Sequence, residues 1–342
     1  LGKFMMTCII RGVFKGTLYP STHYLLAKWA PISERSRFSS YVYTGKLCIS
    51  FGFLAGSKCG WPCSFWVTGA LNLVAFLILT AFGASSPSEH RLITKEEKRF
   101  IMGGLADTAK RNIPWKSILS SKPVWALLVG QMGSVVTFSF IMTEIPTYVH
   151  KVLNGVISSL PYITKIVVAI LFGWLADFLV NKKILRLRTA RVICTSIVCF
   201  LFMSSGDIGA AFCLATVSFI SDPVWAIILF VLSMGCYSAI YSGWVVNHID
   251  IAPNFAGIIL GIGCTLIVID YFLVPALISY FVIDTDPYQW RKVLLLIAAV
   301  AFVFNAIYAV FMSADVQPWN SDERSDEGER SYIFRETYFE PI

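Results

Sequence analysis

The sequence predicts an all-α polytopic membrane protein, and three observations carry that prediction. Hydrophobic residues make up 56% of the 342 residues and charged residues only 14%, with a mean hydropathy of +0.67. Soluble domains carry about a quarter charged residues and could not hide this much apolar surface. Apolar runs near the roughly 20 residues that cross a bilayer recur nine times along the chain. The segments between those runs alternate between rich and poor in Lys and Arg, as loops on opposite sides of a membrane do.

The nine runs cover approximately 4–27, 38–57, 61–83, 123–149, 155–180, 191–219, 223–246, 255–283 and 290–313. In the first, Arg11 and Lys15 stand one helical turn apart on one face. Lys15 lies about 12 residues in, or roughly 18 Å, close to the midplane. Two cations there repel each other unless an anion in a water-lined cavity, or an acid such as Asp207 or Asp270, relieves them. The second run is short, rich in Gly, and interrupted by Lys46, which lines a cavity or snorkels. After the third comes the polar stretch 84–122. It contains Thr94-Lys-Glu-Glu97, a capping box that should open an amphipathic helix running to about Lys110.

The fourth run ends with Glu144 just before Pro146, as a gate or coupling carboxylate or as an ordinary helix-end charge. The fifth and eighth hold the mid-span charges Lys165 and Asp270, and structural pairing of Lys165 with Asp270 or Asp207 is expected. Ser204-Ser-Gly-Asp207 interrupts the sixth, which is one kinked helix or a span with a re-entrant piece. The tail from 314 is dense in charge.

Cations cluster after the first run (Lys28, Arg35, Arg37), after the third, and after the fifth (Lys182, Lys183, Arg186, Arg188, Arg191). Those loops are therefore expected in the cytosol, with residue 1 outside and the tail inside. An odd count starting outside is unusual for an intact transporter, and helices missing at the front are expected. The nine cysteines show no metal-ligand spacing and read as free thiols. His23, His90, His150 and His248 do not converge in this topology, so no catalytic or metal constellation is expected. Asn247-His248-x-Asp250 is expected to serve a helix end and its loop. Gly257–Gly263 superficially resembles a nucleotide loop but lies inside an apolar span, and no nucleic-acid partner is expected. Gly12-xxx-Gly16, Gly52-xxx-Gly56 and Gly257-xxx-Gly261 permit close helix contact.

Gly173-Trp-Leu-Ala-Asp177, followed by Asn181-Lys182-Lys183, ends a span and enters a basic loop. An Asp there can accept from a neighbouring helix N-terminus, and a Lys pair can meet nearby carboxylates, making a latch that holds one state of a rocking transporter. This segment resembles the loop signature of the major facilitator superfamily. Within it, the chain resembles solute carrier family seventeen, the anion–cation symporters, most of all the insect phosphate-cotransporter-like branch. The resemblance rests on Gly16-Thr-Leu-Tyr-Pro-Ser-Thr-His23, Lys28-Trp-Ala-Pro-Ile-Ser-Glu-Arg-Ser36, Gly60-Trp-Pro62, Ser86-Pro-Ser-Glu-His90, Ile113-Pro-Trp-Lys-Ser-Ile118 and Thr143-Glu-Ile-Pro-Thr-Tyr148. It continues through Asn154-Gly, Ser158-Ser-Leu-Pro-Tyr162, Ser242-Gly, Asn247-His-Ile-Asp-Ile-Ala-Pro253, Phe255-Ala-Gly257 and Gln317-Pro-Trp319, in family order.

The resemblance implies a twelve-helix fold of two six-helix halves, of which about nine helices are present. Residues 1–83 would be family helices four to six, 84–122 the central cytosolic loop, 123–313 the C-terminal half and 314–342 a cytosolic tail. It implies transport of phosphate or organic anions driven by sodium or protons, without other cofactors or catalytic residues. The protein is expected to be a monomer in a plasma, vesicular or lysosomal membrane. Arg11, Lys15 and His23 are expected on the pathway and Glu144 with Tyr148 at an outer gate. Glu34, Arg35, Asp177 and Lys183 are expected at cytosolic latches, and Asn247, His248 and Asp250 in a loop signature. The chain departs from the family where an Arg and an acidic or Gln position seven apart are replaced by Cys8 and Lys15, with Arg11 displaced by about a turn. It departs again at Cys264 and Val268, in two shortened stretches (Gly45–Gly60 and Leu153–Asn154), and around Phe202–Ile208. These departures leave a non-transporting degenerate or truncated paralogue as the alternative.

Overall fold

The structure is a computed structural model and describes residues 2–44, 60–90, 92–102, 112–149, 160–195, 206–220, 222–282 and 287–320. For Arg11, Lys15, Glu144 and Tyr148 it describes the backbone alone. Regular structure among the described residues is helical throughout. Six helical segments are long and apolar enough to cross a membrane: Phe65–Phe82, Lys122–Ile141, Leu160–Asn181, Val224–Ile251, Ala256–Phe281 and Tyr288–Phe311.

The first expected span is two helices, α1 (Gly2–Gly16) and α2 (Leu18–Trp29). Pro20 explains the interruption, because it has no N–H to give the Gly16 carbonyl. Thr17 nevertheless stays in the helical region at φ −83°, ψ −18°, and its carbonyl accepts from the Ser21 N–H at 3.1 Å. A 3-10 turn, Ile32–Glu34, leads into α3 (Arg35–Thr44). The rest of the second expected span, with Lys46, lies outside the described residues. Helix α4 (Gly60–Phe82) follows, and its Phe65–Phe82 window buries none of its residues.

Thr94 caps α5 (Lys95–Met102) by accepting from the Glu97 N–H at 3.2 Å. The expected continuation to Lys110 falls outside the described residues. Short α6 (Trp115–Ser120) precedes α7 (Lys122–Val149) and α8 (Leu160–Asn181). The sixth expected span comprises α9 (Leu187–Thr195) and α10 (Gly206–Val217), with 196–205 undescribed between them. Asp222 caps α11 (Pro223–Tyr237), its Oδ1 accepting from the Val224 N–H at 2.8 Å, with Pro223 in the first turn. A 3-10 turn, Ser238–Ser242, separates it from α12 (Trp244–Ile251), so this span breaks midway. Helices α13 (Ala256–Phe281) and α14 (Pro287–Phe311) complete the bundle.

Helix α7 packs on α13 and α14, α10 on α11 and α14, and α11 on α8. The early part of the chain joins them through α2 on α13 and α3 on α8. Both junctions are closed by glycine. A Cβ at Gly257 would stand 2.8 Å from the Pro20 carbonyl oxygen, and one at Gly173 would stand 2.7 Å from Ser40 Oγ and 3.1 Å from the Ser36 carbonyl. Gly261, one turn from Gly257, would place its Cβ 3.8 Å from Pro20 Cγ, an ordinary contact. Gly257→Ala is therefore expected to cost about 1–3 kcal/mol by overpacking against backbone, while Gly261→Ala leaves stability unchanged. Thermal unfolding of the purified protein in detergent measures both, and equal effects would contradict the close approach.

Beyond α14 the chain docks rather than trailing away at 314. The Gln317 N–H donates to the Ile251 carbonyl at 2.8 Å, and the Asn254 N–H to Asn320 Oδ1 at 3.1 Å. The charged stretch 321–342 lies outside the described residues. Among the described residues, Cys63, Cys213, Cys236 and Cys264 are not joined in disulfides.

Candidate functional site

The polar contacts between the early segment and the later helices gather at the end of the bundle that carries the basic loops. Asp177, near the end of α8, accepts from the Ser36 N–H (3.2 Å) and the Arg37 N–H (2.9 Å), two of the amides that α3 leaves open at its first turn. The Arg37 guanidinium approaches the same carboxylate at 3.5 Å, pairs with Glu34 at 2.8 Å, and lies over the Trp174 ring at 4.6 Å. Trp174 Nε1 donates to the Tyr41 hydroxyl at 2.6 Å, and Asn181 Nδ2 to the Ser33 carbonyl at 2.8 Å.

Deeper in, Asp250 of α12 is shared by two arginines. Arg35 Nη1 reaches its Oδ1 at 3.2 Å, and Arg191 Nε its Oδ2 at 2.7 Å. All three side chains are at least 94% shielded from solvent. Arg191 Nη1 also donates to Ser36 Oγ (2.7 Å) and to the Ser242 carbonyl (2.9 Å), which sits at the break between α11 and α12. The irregular backbone is tolerated inside the bundle because buried donors satisfy it. Gly173, beside Ser36 and Ser40, lets α3 and α8 come close enough for this network.

Further toward the centre, His23 of α2 is fully enclosed. Its Nδ1 is hydrogen-bonded to the Tyr43 hydroxyl, and its Nε2 lies 2.9 Å from the Val245 carbonyl. Tyr43 stacks between Tyr19 (5.8 Å) and Tyr241 (6.1 Å). The Lys165 ammonium sits over Tyr241 (5.4 Å), Phe138 (4.8 Å) and Tyr237 (5.8 Å). This column of rings runs from the early helices α2 and α3 to the later α7, α8 and α11, ending in a cation.

Several sequence expectations change here. Asp207 takes its hydrogen bonds from Ser134 Oγ and Asn305 Nδ2 rather than pairing with Lys165, and Lys165 meets aromatic rings instead. The histidines were expected apart, yet the His23 and His248 rings stand edge to face at 5.4 Å. No group of three His, Cys, Asp or Glu placed to hold a metal occurs among the described residues. Lys183 is exposed and ends α8 with φ 57°, and the cation on Asp177 is Arg37 instead. Asn247 donates to the Tyr308 hydroxyl at 3.3 Å, and His248 Nδ1 lies 3.1 Å from the Trp244 carbonyl. The side chains of Arg11, Lys15, Glu144 and Tyr148 lie outside the description.

Sequence reasoning missed the buried stripe of α7: Gln131, Ser134 and Thr137, each at most 1% exposed. Three polar residues at three-residue spacing in an apolar span were the available signal. Arg191 counts among the loop cations and also opens the sixth run at 191, but its burial and its pairing with Asp250 were not foreseen.

The Major Facilitator Superfamily profile matches residues 3–268. A Drosophila ananassae protein named "Putative inorganic phosphate cotransporter" is 32% identical over 93% of this chain and 68% of its own length. The human "Vesicular glutamate transporter 2" is 28% identical over 97% of this chain and 59% of its length. The Arabidopsis thaliana "Ascorbate transporter, chloroplastic" is 36% identical over 74% and 48% respectively. The chain thus spans between about half and two thirds of the length of these relatives. With its helical bundle, its charged junction and these matches, the chain belongs to the major facilitator superfamily, in the solute carrier family seventeen branch, and is a multi-pass membrane protein.

Proposed function

We propose that this chain forms the larger part of a secondary transporter for inorganic phosphate or organic anions, driven by a sodium or proton gradient, and that it is not an enzyme. The observation that carries the reading is the junction of the early and late helices. It is built from ion pairs and helix-end hydrogen bonds at one end and a ring-lined cation at the centre. Charged contacts of this kind can exchange for water when two helical units rock apart, which a continuous apolar interface could not do without exposing its core. Asp177, Asp250, Arg35, Arg37 and Arg191 act as the latch on the cytosolic side. His23 and Lys165 line the anion path, with Arg11 and Lys15 on α1, the helix before the one that bears His23.

The names of the relatives point the same way: phosphate, glutamate and ascorbate are all anions. Uptake of labelled phosphate and labelled glutamate into proteoliposomes, under imposed sodium or proton gradients, tests the proposal. Gradient-dependent uptake of either above protein-free vesicles is expected. A folded, inserted protein that moves neither would favour the non-transporting reading.

A further inference from the structure

Asp207 lies on α10, inside the later group of helices and away from the latch. Its residue is 0% exposed. Oδ2 accepts from the Ser134 hydroxyl and from Asn305 Nδ2 at 3.2 Å. Oδ1 has no hydrogen-bond partner, and neither has the nearby Asn305 Oδ1 nor, one turn along α7 from Ser134, Gln131 Oε1. The ion pairs among the described residues do not include Asp207. A carboxylate enclosed in a bilayer-spanning bundle without a cation is costly, and so are orphaned acceptors. What these groups lack in common is a positive charge or a donor.

We infer that Asp207, with Ser134 and Asn305, is a binding site for a monovalent cation, a proton or sodium, held on the free Oδ1. Ser134 and Asn305 fix the carboxylate by occupying Oδ2, so the open oxygen faces the cation. The titratable and charged groups on the elements packed against α10 are Cys236 and Tyr237 on α11, Tyr241 on the 3-10 turn, Tyr308 on α14 with Tyr288, Arg291 and Lys292 near its far end, Lys122, Glu144 and Tyr148 toward the two ends of α7, and Arg188, Arg191 and Cys194 on α9. Tyr237 lies within electrostatic reach of Asp207, and the Lys165 ammonium sits 5.8 Å from its ring centroid. A charge change at Asp207 is therefore felt one side chain away from the cation that lines the proposed anion path. The site deepens the transport reading by naming the seat of the driving ion, but cation binding is measurable without transport.

The test uses the full chain, purified in nanodiscs, as wild type, Asp207→Asn, Ser134→Ala, and Asp270→Asn as a second buried carboxylate. Binding of radiolabelled sodium is measured by scintillation proximity, and carboxyl protonation by infrared difference spectra on a pH step. Sodium binding lost at least tenfold in Asp207→Asn and kept in Asp270→Asn identifies a sodium site. Loss of a carboxyl stretch band in Asp207→Asn alone identifies a proton site. Ser134→Ala should weaken either signal without abolishing it. If folded Asp207→Asn keeps both signals, or if Asp270→Asn alone removes them, the inference is wrong. Should Asp207→Asn fail to fold, wild type showing neither signal, or Ser134→Ala leaving both unaltered, overturns it. If wild type binds the cation yet no anion moves in the uptake assay, the transport reading fails while this site stands.

Discussion

Replacing Asp250 with alanine is expected to cost about 3–5 kcal/mol of stability, the range found when one member of a buried ion pair is removed. The change leaves Arg35 and Arg191 facing each other in a water-poor interior with no anion between them. Arg191, at 2% exposure, has no short route to solvent, although it keeps its hydrogen bonds to Ser36 and Ser242. Glu34→Ala is the comparison. Its pair with Arg37 is partly exposed, with side chains at 31% and 21%, and such pairs contribute about 0–1 kcal/mol. Unfolding of the two purified variants, followed by tryptophan fluorescence, should separate them widely. Similar midpoints would mean that the Asp250 network is open to water and is no latch.

The fold was largely legible because bilayer length and loop charge are coarse signals that tertiary context rarely overrides. Spans such as 223–246 and 255–283 correspond to segments Val224–Ile251 and Ala256–Phe281. What periodicity could not convey was the break at Ser238–Ser242, because these residues are neither Gly nor Pro, the apolar run continues through them, and Gly243 alone marks the place. Only the buried Arg191 guanidinium, more than 45 residues away in sequence, makes sense of the freed Ser242 carbonyl.

The site was less legible for the same reason. Asp177 could be read as capping a neighbouring helix, since an acid at a span end has few other uses. Its cation could not be read, because Lys183 and Arg37 are equivalent in composition and only geometry selects Arg37. Proximity of Lys165 to aromatic rings was likewise invisible. Phe138, Tyr237 and Tyr241 look like ordinary span residues until the helices are assembled. Charge pairing with Asp207 or Asp270 was the natural guess from a list of mid-span charges.

Lys165→Met carries the largest expected functional effect. The ammonium lies within 6 Å of three ring centroids, where a cation is attracted to ring faces by about 0.5–2 kcal/mol. Methionine has similar length and packs well on aromatic rings, so stability should change by no more than that amount. An anion passing this point would meet the ammonium in a desolvated setting, and removing one partner of such a pair costs about 2–5 kcal/mol. Anion uptake is therefore expected to fall by roughly 30-fold to several thousand-fold, with the loss expressed at low substrate as a raised KM. Lys165→Arg keeps the charge but replaces a compact point charge with a planar fork, and should retain part of the activity. Uptake assays on the three proteins at equal membrane density decide the matter. If Lys165→Met transports with the wild-type KM, Lys165 serves the ring packing alone. The anion path must then run along the face of α1 that bears Arg11 and Lys15.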